Sequence, residues 1–159
     1  YSIPQINRGE IRDIAAEIIE EGRTGLIKRD LSVTYVETLT SLRSGSIIAE
    51  SLTEDTEYVV LSGSATADTL KDIIQNAKNP ITIIIKDGTR VFIPPRELNL
   101  LERMGLKLNV VNPINIIAVT VNPYSPEGYY FDAAVFLERM RRAIPDIPVF
   151  DVMQGGMRL

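Results

Sequence analysis

The sequence predicts an α/β domain, a three-layer, Rossmann-like arrangement with a mostly parallel sheet flanked by helices. Three observations predict it. From residue 58 onward, short runs of β-branched and aliphatic residues alternate with segments of helical periodicity, the pattern of strands crossed by helices. Two of those runs, ITIII (81–85) and INIIAVTV (114–121), are apolar at nearly every position, so both faces of the strands need cover, as in parallel sheets between helical layers. The length of 159 residues and the 45% hydrophobic content suit one domain with a sizeable core. A single α/β domain over 1–159 is therefore expected. Because the chain opens on Tyr1 rather than Met, it reads as the C-terminal half of something longer, with a helix within 1–22 adjoining an upstream domain.

Taken in order, Ile11, Ile14, Ala15, Ile18 and Ile19 form one apolar stripe of a first helix. Asn7 and Glu10 have the spacing of a capping pair at its start, and Gly22 marks its end. Extended pieces at 25–28 and 33–36, with Asp30-Leu31-Ser32 between them, read as a hairpin. Residues 44–52 make a short helix. YVVL (58–61) is a strand, and the helix at 65–78 carries Leu70, Ile73, Ile74 and Ala77 on one face. After strand 81–85, the helix at 94–105 has proline at its start and glycine just past its end. Residues 107–111 and 114–121 are strands joined by too few residues for a parallel crossover, so they form a hairpin or lie on different edges. A helix at 132–144 and a strand at 148–152 follow. The tail 154–159 has the composition of a mobile end. Strands 58–61, 81–85 and 114–121 are expected at the buried centre.

Composition excludes several chemistries. There is no Cys, His or Trp, so disulfides, thiol nucleophiles, imidazole bases and the usual zinc ligands are excluded, and no metal site or cofactor is assigned. The net charge is −4 with a pI near 4.9, a poor balance for nucleic-acid binding. The nearest basic cluster, Arg139, Arg141 and Arg142, falls near the end of a helix, where cations suit the macrodipole. No apolar run has the length to span a membrane and no signal peptide is visible, so the cytoplasm is the expected compartment.

In open α/β sheets, ligands sit beyond the carboxyl ends of the strands, and three loops qualify. SGSAT (62–66) opens a helix with small residues, and Gly63, Ser64 and Thr66 can cradle an anion with backbone N–H groups. The plainer alternative is a tight turn with Ser64 or Thr66 as the cap. It is not a P-loop, since no lysine follows at the required spacing, and Lys71, a turn into the helix, is expected to face solvent. KDGTRVF (86–92) has the end of an aspartyl phosphotransferase loop, but Ile85 stands where its nucleophile belongs, so Asp87-Gly88 reads more simply as a turn. VNPYSPEGYYFD (121–132) is stiffened by Pro123 and Pro126, with Gly128 free to take positive φ and Asp132 placed to cap the next helix. Asn122, Tyr124 and Tyr129 join Asp132 as binding candidates on this aromatic rim. No residue is assigned a catalytic role.

VVLSGSATADTL, ITIIIKDGTRVFI, LNVVNPINIIAVTVNPYSPEGYYFD and FLERMRRAIPDIPVFDVM stand here in one order. That order resembles the C-terminal part of a family of bacterial P-loop proteins associated with reactivation of lysine 5,6-aminomutase, a cobalamin- and pyridoxal-phosphate-dependent enzyme of amino-acid fermentation. The resemblance covers residues 25–152, and TVNPxSPxGYxFD is its most specific part. It implies an upstream P-loop domain that is not in this sequence. It further implies a non-catalytic accessory role, with that domain, a second copy of the chain or an aminomutase complex as partner. Two other functions stay open: a small-molecule or nucleotide sensor using the 62–66 and 122–132 loops, and a metal-assisted phosphohydrolase built on Asp68, Asp87 and Asp132.

Overall fold

The structure, a computed structural model, describes residues 3–7, 9–37 and 44–153. The chain divides into two compact units, residues 1–114 and 115–159. The first carries a mixed five-stranded sheet in the order β2-β1-β3-β5-β7. Its strands are β1 (Thr24–Lys28), β2 (Val33–Val36), β3 (Thr56–Leu61), β5 (Thr82–Ile85) and β7 (Lys107–Val110). β1 runs antiparallel to both β2 and β3, whereas β3, β5 and β7 are mutually parallel.

Period-two alternation divides the side chains of these strands between two helical layers. Val59 and Leu61 of β3 and Ile83 and Ile85 of β5 share one core with Leu26, Leu108 and Val110. Helices α2 (Ser44–Ser51), α3 (Ala67–Asn76) and α4 (Pro95–Arg103) cover that face through Ile48, Leu70, Ile73, Leu98 and Leu101. The residues between, Tyr58 and Val60 of β3 and Ile84 of β5, point the other way. There they meet Ile11, Ala15 and Ile18 of α1 (Gly9–Glu20), together with Ile27 and Val111. The apolar stripe of the first helix and the doubly buried character of 58–61 and 81–85 have this single cause: each strand lies between two layers.

Local chemistry sets the ends of these elements. Beyond α1, the N–H of Gly22 reaches Ile19 O at 3.1 Å and that of Arg23 reaches Ile18 O at 3.3 Å, closing the last turn. The β1–β2 turn holds Leu31 at φ 62, and Asp30 Oδ1 accepts from Ser32 N at 2.9 Å. α3 and α4, the crossovers of the parallel strands, are tied by Lys71 Nζ donating to Glu97 Oε1 at 2.5 Å. That hydrogen bond raises the Lys71 pKa above its ordinary value. Lys71 is thus half-buried and paired, where the sequence suggests a solvent-facing ammonium. Two short strands, β4 (Ala65–Thr66) and β6 (Val91–Phe92), pair in parallel beside the main sheet.

Before α1, Ile6 N donates to Val110 O and Val110 N to Pro4 O, both at 3.0 Å, so residues 4–6 run along the edge of β7. Residues 1 and 2 and the tail 154–159 lie outside the described residues. One expectation is corrected. The run 114–121 is not a central strand of the main sheet. Residues 114–118 are exposed and unpaired in any ladder, and only β8 (Val119–Val121) is extended. β8 belongs to the second unit, where it pairs in parallel with β9 (Val149–Asp151) across α5 (Ala133–Ala143). A continuous apolar run shows that a segment needs cover but does not name its neighbour. Arg141 Nη2 donates to Val149 O at 3.2 Å and so links α5 to β9, whereas Arg142 pairs with Glu138 one turn earlier on the exposed side of the same helix.

The two-layer burial makes the centre of the first unit sensitive. Ile84 is fully buried between α1 and the sheet, and Ile84→Ala is expected to cost about 2–5 kcal/mol, read as a lower urea midpoint with an unchanged slope. Gly45 sits where α2 crosses α3; a Cβ there would lie 2.5 Å from Asp72 Oδ2 and 3.0 Å from the Cα of Thr69. Gly45→Ala should therefore destabilise by about 1–3 kcal/mol in the same titration, despite the better helix propensity of alanine.

Candidate functional site

The loops that leave the parallel strands of the first unit converge. The segment after β3 and the segment after β5 are held side by side by the β4–β6 ladder, in which Ala65 faces Val91 and Thr66 faces Phe92. Gly63, Ser64, Thr66 and Asp87 are thereby brought to one end of the sheet. Each polar side chain with a described partner is engaged in closing a turn. Thr66 is extended (φ −104) and caps α3, its Oγ1 accepting from Thr69 N at 3.3 Å and lying 3.0 Å from Thr69 Oγ1. Asp87 caps a 3₁₀ turn at Gly88–Arg90, with Oδ1 accepting from Thr89 N at 2.9 Å and from Thr89 Oγ1 at 2.5 Å. A carboxylate held in this way is a turn element, as the Asp87-Gly88 pair suggested. Gly63 and Ser64 are exposed.

Asn122, Tyr124, Tyr129 and Asp132 lie in the second unit and form one folded loop. Asn122 Oδ1 accepts from Tyr124 N at 3.0 Å, turning the chain as it leaves β8. Ser125 N donates to Tyr129 O at 2.7 Å, Gly128 N to Ser125 O at 3.1 Å and Phe131 N to Pro123 O at 3.0 Å. Gly128 has φ 86, the left-handed conformation its place in the loop suggested. Asp132 caps α5, its Oδ1 accepting from Val135 N at 3.0 Å, and Phe131 stacks on Phe136 with ring centroids 5.2 Å apart. The loop is thus rigid, yet its rings are exposed: Tyr129 by 74% and Tyr130 by 76%. It presents an aromatic surface and no acid–base pair. The phosphohydrolase reading needs Asp68, Asp87 and Asp132 gathered. Among the described residues no group of three or more His, Cys, Asp or Glu is placed to hold a metal ion.

One feature of the first unit was not read from the sequence. A cleft of about 700 Å³ opens beside α1 at the carboxyl ends of the parallel strands. Ser62 follows β3, Lys86 follows β5, and Val111 and Asn112 follow β7; Arg90 comes from the 3₁₀ turn, and Arg12 and Asp13 from α1. The rule that ligands sit at strand ends pointed to this rim. It could not supply Arg12, since nothing local in the sequence says which face of the sheet α1 covers.

Compared with known proteins, the chain matches no family model, no curated protein and no solved structure.

The cap and the glycine of the aromatic loop can be tested together. Asp132→Ala should lower stability by about 1 kcal/mol, and Gly128→Ala should also destabilise, by about 1 kcal/mol or more, because φ is positive there. Both are read from urea or thermal unfolding. Loss of near-ultraviolet tyrosine dichroism before the main transition would show that the loop loosens first.

Proposed function

We propose that this chain is a non-catalytic accessory part of a larger protein and that residues 115–153 dock onto another α/β body, the sheet of an upstream P-loop domain. One observation carries the reading: β8 and β9 form a two-stranded parallel sheet with a single crossover helix and many exposed apolar side chains. Parallel sheets are stable when both faces are covered, and two strands alone are marginal. The β8-α5-β9 unit is the repeating element of a doubly wound sheet, and among the described residues each of its strands is paired on one edge only, leaving the other able to accept a parallel strand.

The exposed side chains fit that role. Ile116, Ile117, Tyr124, Tyr129, Tyr130, Phe131, Val135 and Met153 are each more than two-fifths exposed, and α5 has no fully buried residue. Exposed apolar side chains in this number suit an interaction surface. The resemblance of residues 25–152 to the P-loop family described above suggests the occupant. It also links the protein to a cobalamin- and pyridoxal-phosphate-dependent aminomutase. No helix among the described residues is long and apolar enough to cross a membrane.

Amide hydrogen exchange tests the docking. The amides of β8 and β9 should exchange rapidly in this chain alone and slowly in a longer chain carrying the upstream domain, and Ile117→Asp should abolish that protection. Equal exchange in the two chains overturns the reading. Protection that instead grows with the concentration of this chain alone, with a matching rise in mass by light scattering, makes a second copy the occupant and overturns the upstream one.

A further inference from the structure

We propose that the cleft beside α1 in the first unit is a binding site for a phosphorylated small molecule whose remaining part carries hydroxyl or amine donors. The inference is independent of the docking surface, since every lining residue belongs to residues 1–114.

Three cationic side chains from three different segments, Arg12, Lys86 and Arg90, line one concavity, against two carboxylates, Asp13 and Glu20. The chain as a whole carries a net charge of −4, so the cleft opposes the overall sign. None of the three cations holds an ion pair among the described residues, whereas Arg29, Lys71, Lys78 and Arg142 each do. Their donors are therefore available to a ligand.

The backbone that presents them is fixed. Val111 N donates to Ile85 O at 3.0 Å and Asn112 N to Lys86 O at 2.9 Å, continuing the β5–β7 ladder past the strand ends and pinning Lys86 beside Asn112. Arg90 N donates to Asp87 O at 3.1 Å inside the turn that Asp87 caps. Arg12 stands in the first half of α1, whose opposite stripe is buried in the core. The fold has already ordered these backbones before any ligand arrives, which lowers the cost of binding.

The ligand class follows from the lining. A phosphate monoester carries nearly two negative charges near neutral pH and three acceptor oxygens, matching two guanidinium forks and an ammonium better than a single carboxylate does. The volume lies in the range of small-molecule sites. Val111 is buried and Ala16 and Ile19 are half-buried, giving the cleft an apolar floor. Asp13 and Glu20 accept hydrogen bonds and repel a bare anion, so they favour a ligand with donors away from its phosphate. The same two carboxylates and the concave shape disfavour a continuous polyphosphate backbone.

AMP serves as the probe, with adenosine, inorganic phosphate and succinate as comparators, followed by amide chemical shifts of the isotope-labelled chain. Saturable shifts at Arg12, Ser62, Lys86, Arg90 and Asn112 are expected, with AMP binding at least about tenfold more tightly than adenosine and with phosphate displacing it better than succinate. The double variant K86Q/R90Q should weaken AMP by about tenfold or more, while Arg103→Gln, on α4 across the sheet, should leave it unchanged. All these side chains are exposed, and an unaltered unfolding midpoint confirms that each variant folds. Should the double variant unfold early, Arg12→Gln, from a different element, supplies the same comparison. Equal binding of AMP and adenosine, displacement by succinate as effective as by phosphate, an equal loss in Arg103→Gln, or no saturation at millimolar AMP each overturns the proposal.

Discussion

The pairing of β3 with β5 is the constraint on which the first unit depends. Val59 faces Ile83, Val60 faces Ile84 and Leu61 faces Ile85, so alternate residues of two adjacent parallel strands supply both cores at once. A slip of one residue in this register would exchange the partners of α1 for those of α3 and α4. Close packing on both sides makes such a slip costly, and it fixes where the strands end. The position of Ser62 and Lys86 at one rim is a consequence of that register, and β7, paired in turn with β5, adds Asn112.

The second unit lives under the opposite condition. β8 and β9 repeat the parallel pairing and right-sized crossover of the first unit, but without neighbouring strands. What holds them is mostly local: the Asp132 cap, the Arg141 bonds to Val149 O, the Phe131–Phe136 stack and a loop closed by its own backbone. These interactions order the aromatic surface without burying it. Ordering a surface in advance suits the docking proposed for this unit, because the entropy of fixing the rings is not then lost on association. The two halves of the chain thus divide two kinds of work: one closes its own core around a polar cleft, and the other leaves apolar area exposed.

Much of the fold was legible in the residues. The apolar stripe of α1, the turn at Asp30-Leu31-Ser32, the proline and glycine bounding α4 and the Asp132 cap are local signals, and each appears in place. The 62–66 and 86–92 loops were identified at the carboxyl ends of strands, where Thr66 and Asp87 act as caps. The misreading of 114–121 has a physical origin. Its apolar content is genuine, but content records the need for burial and not the surface that meets it.

By itself, then, the sequence determined most of the helices and the strands of the main sheet, several of their caps and turns, the alternation that sorts side chains into two layers, and the absence of thiol and imidazole chemistry. These depend on contacts between residues close in the chain or on composition alone. The tertiary structure decided which strands share a sheet, that β8 and β9 pair in a two-stranded sheet of their own, and that Arg12, Lys86 and Arg90 line one cleft. Those outcomes depend on pairings between residues far apart in the chain, and a charge at the rim of a sheet has no periodicity by which its distant partner can be recognised.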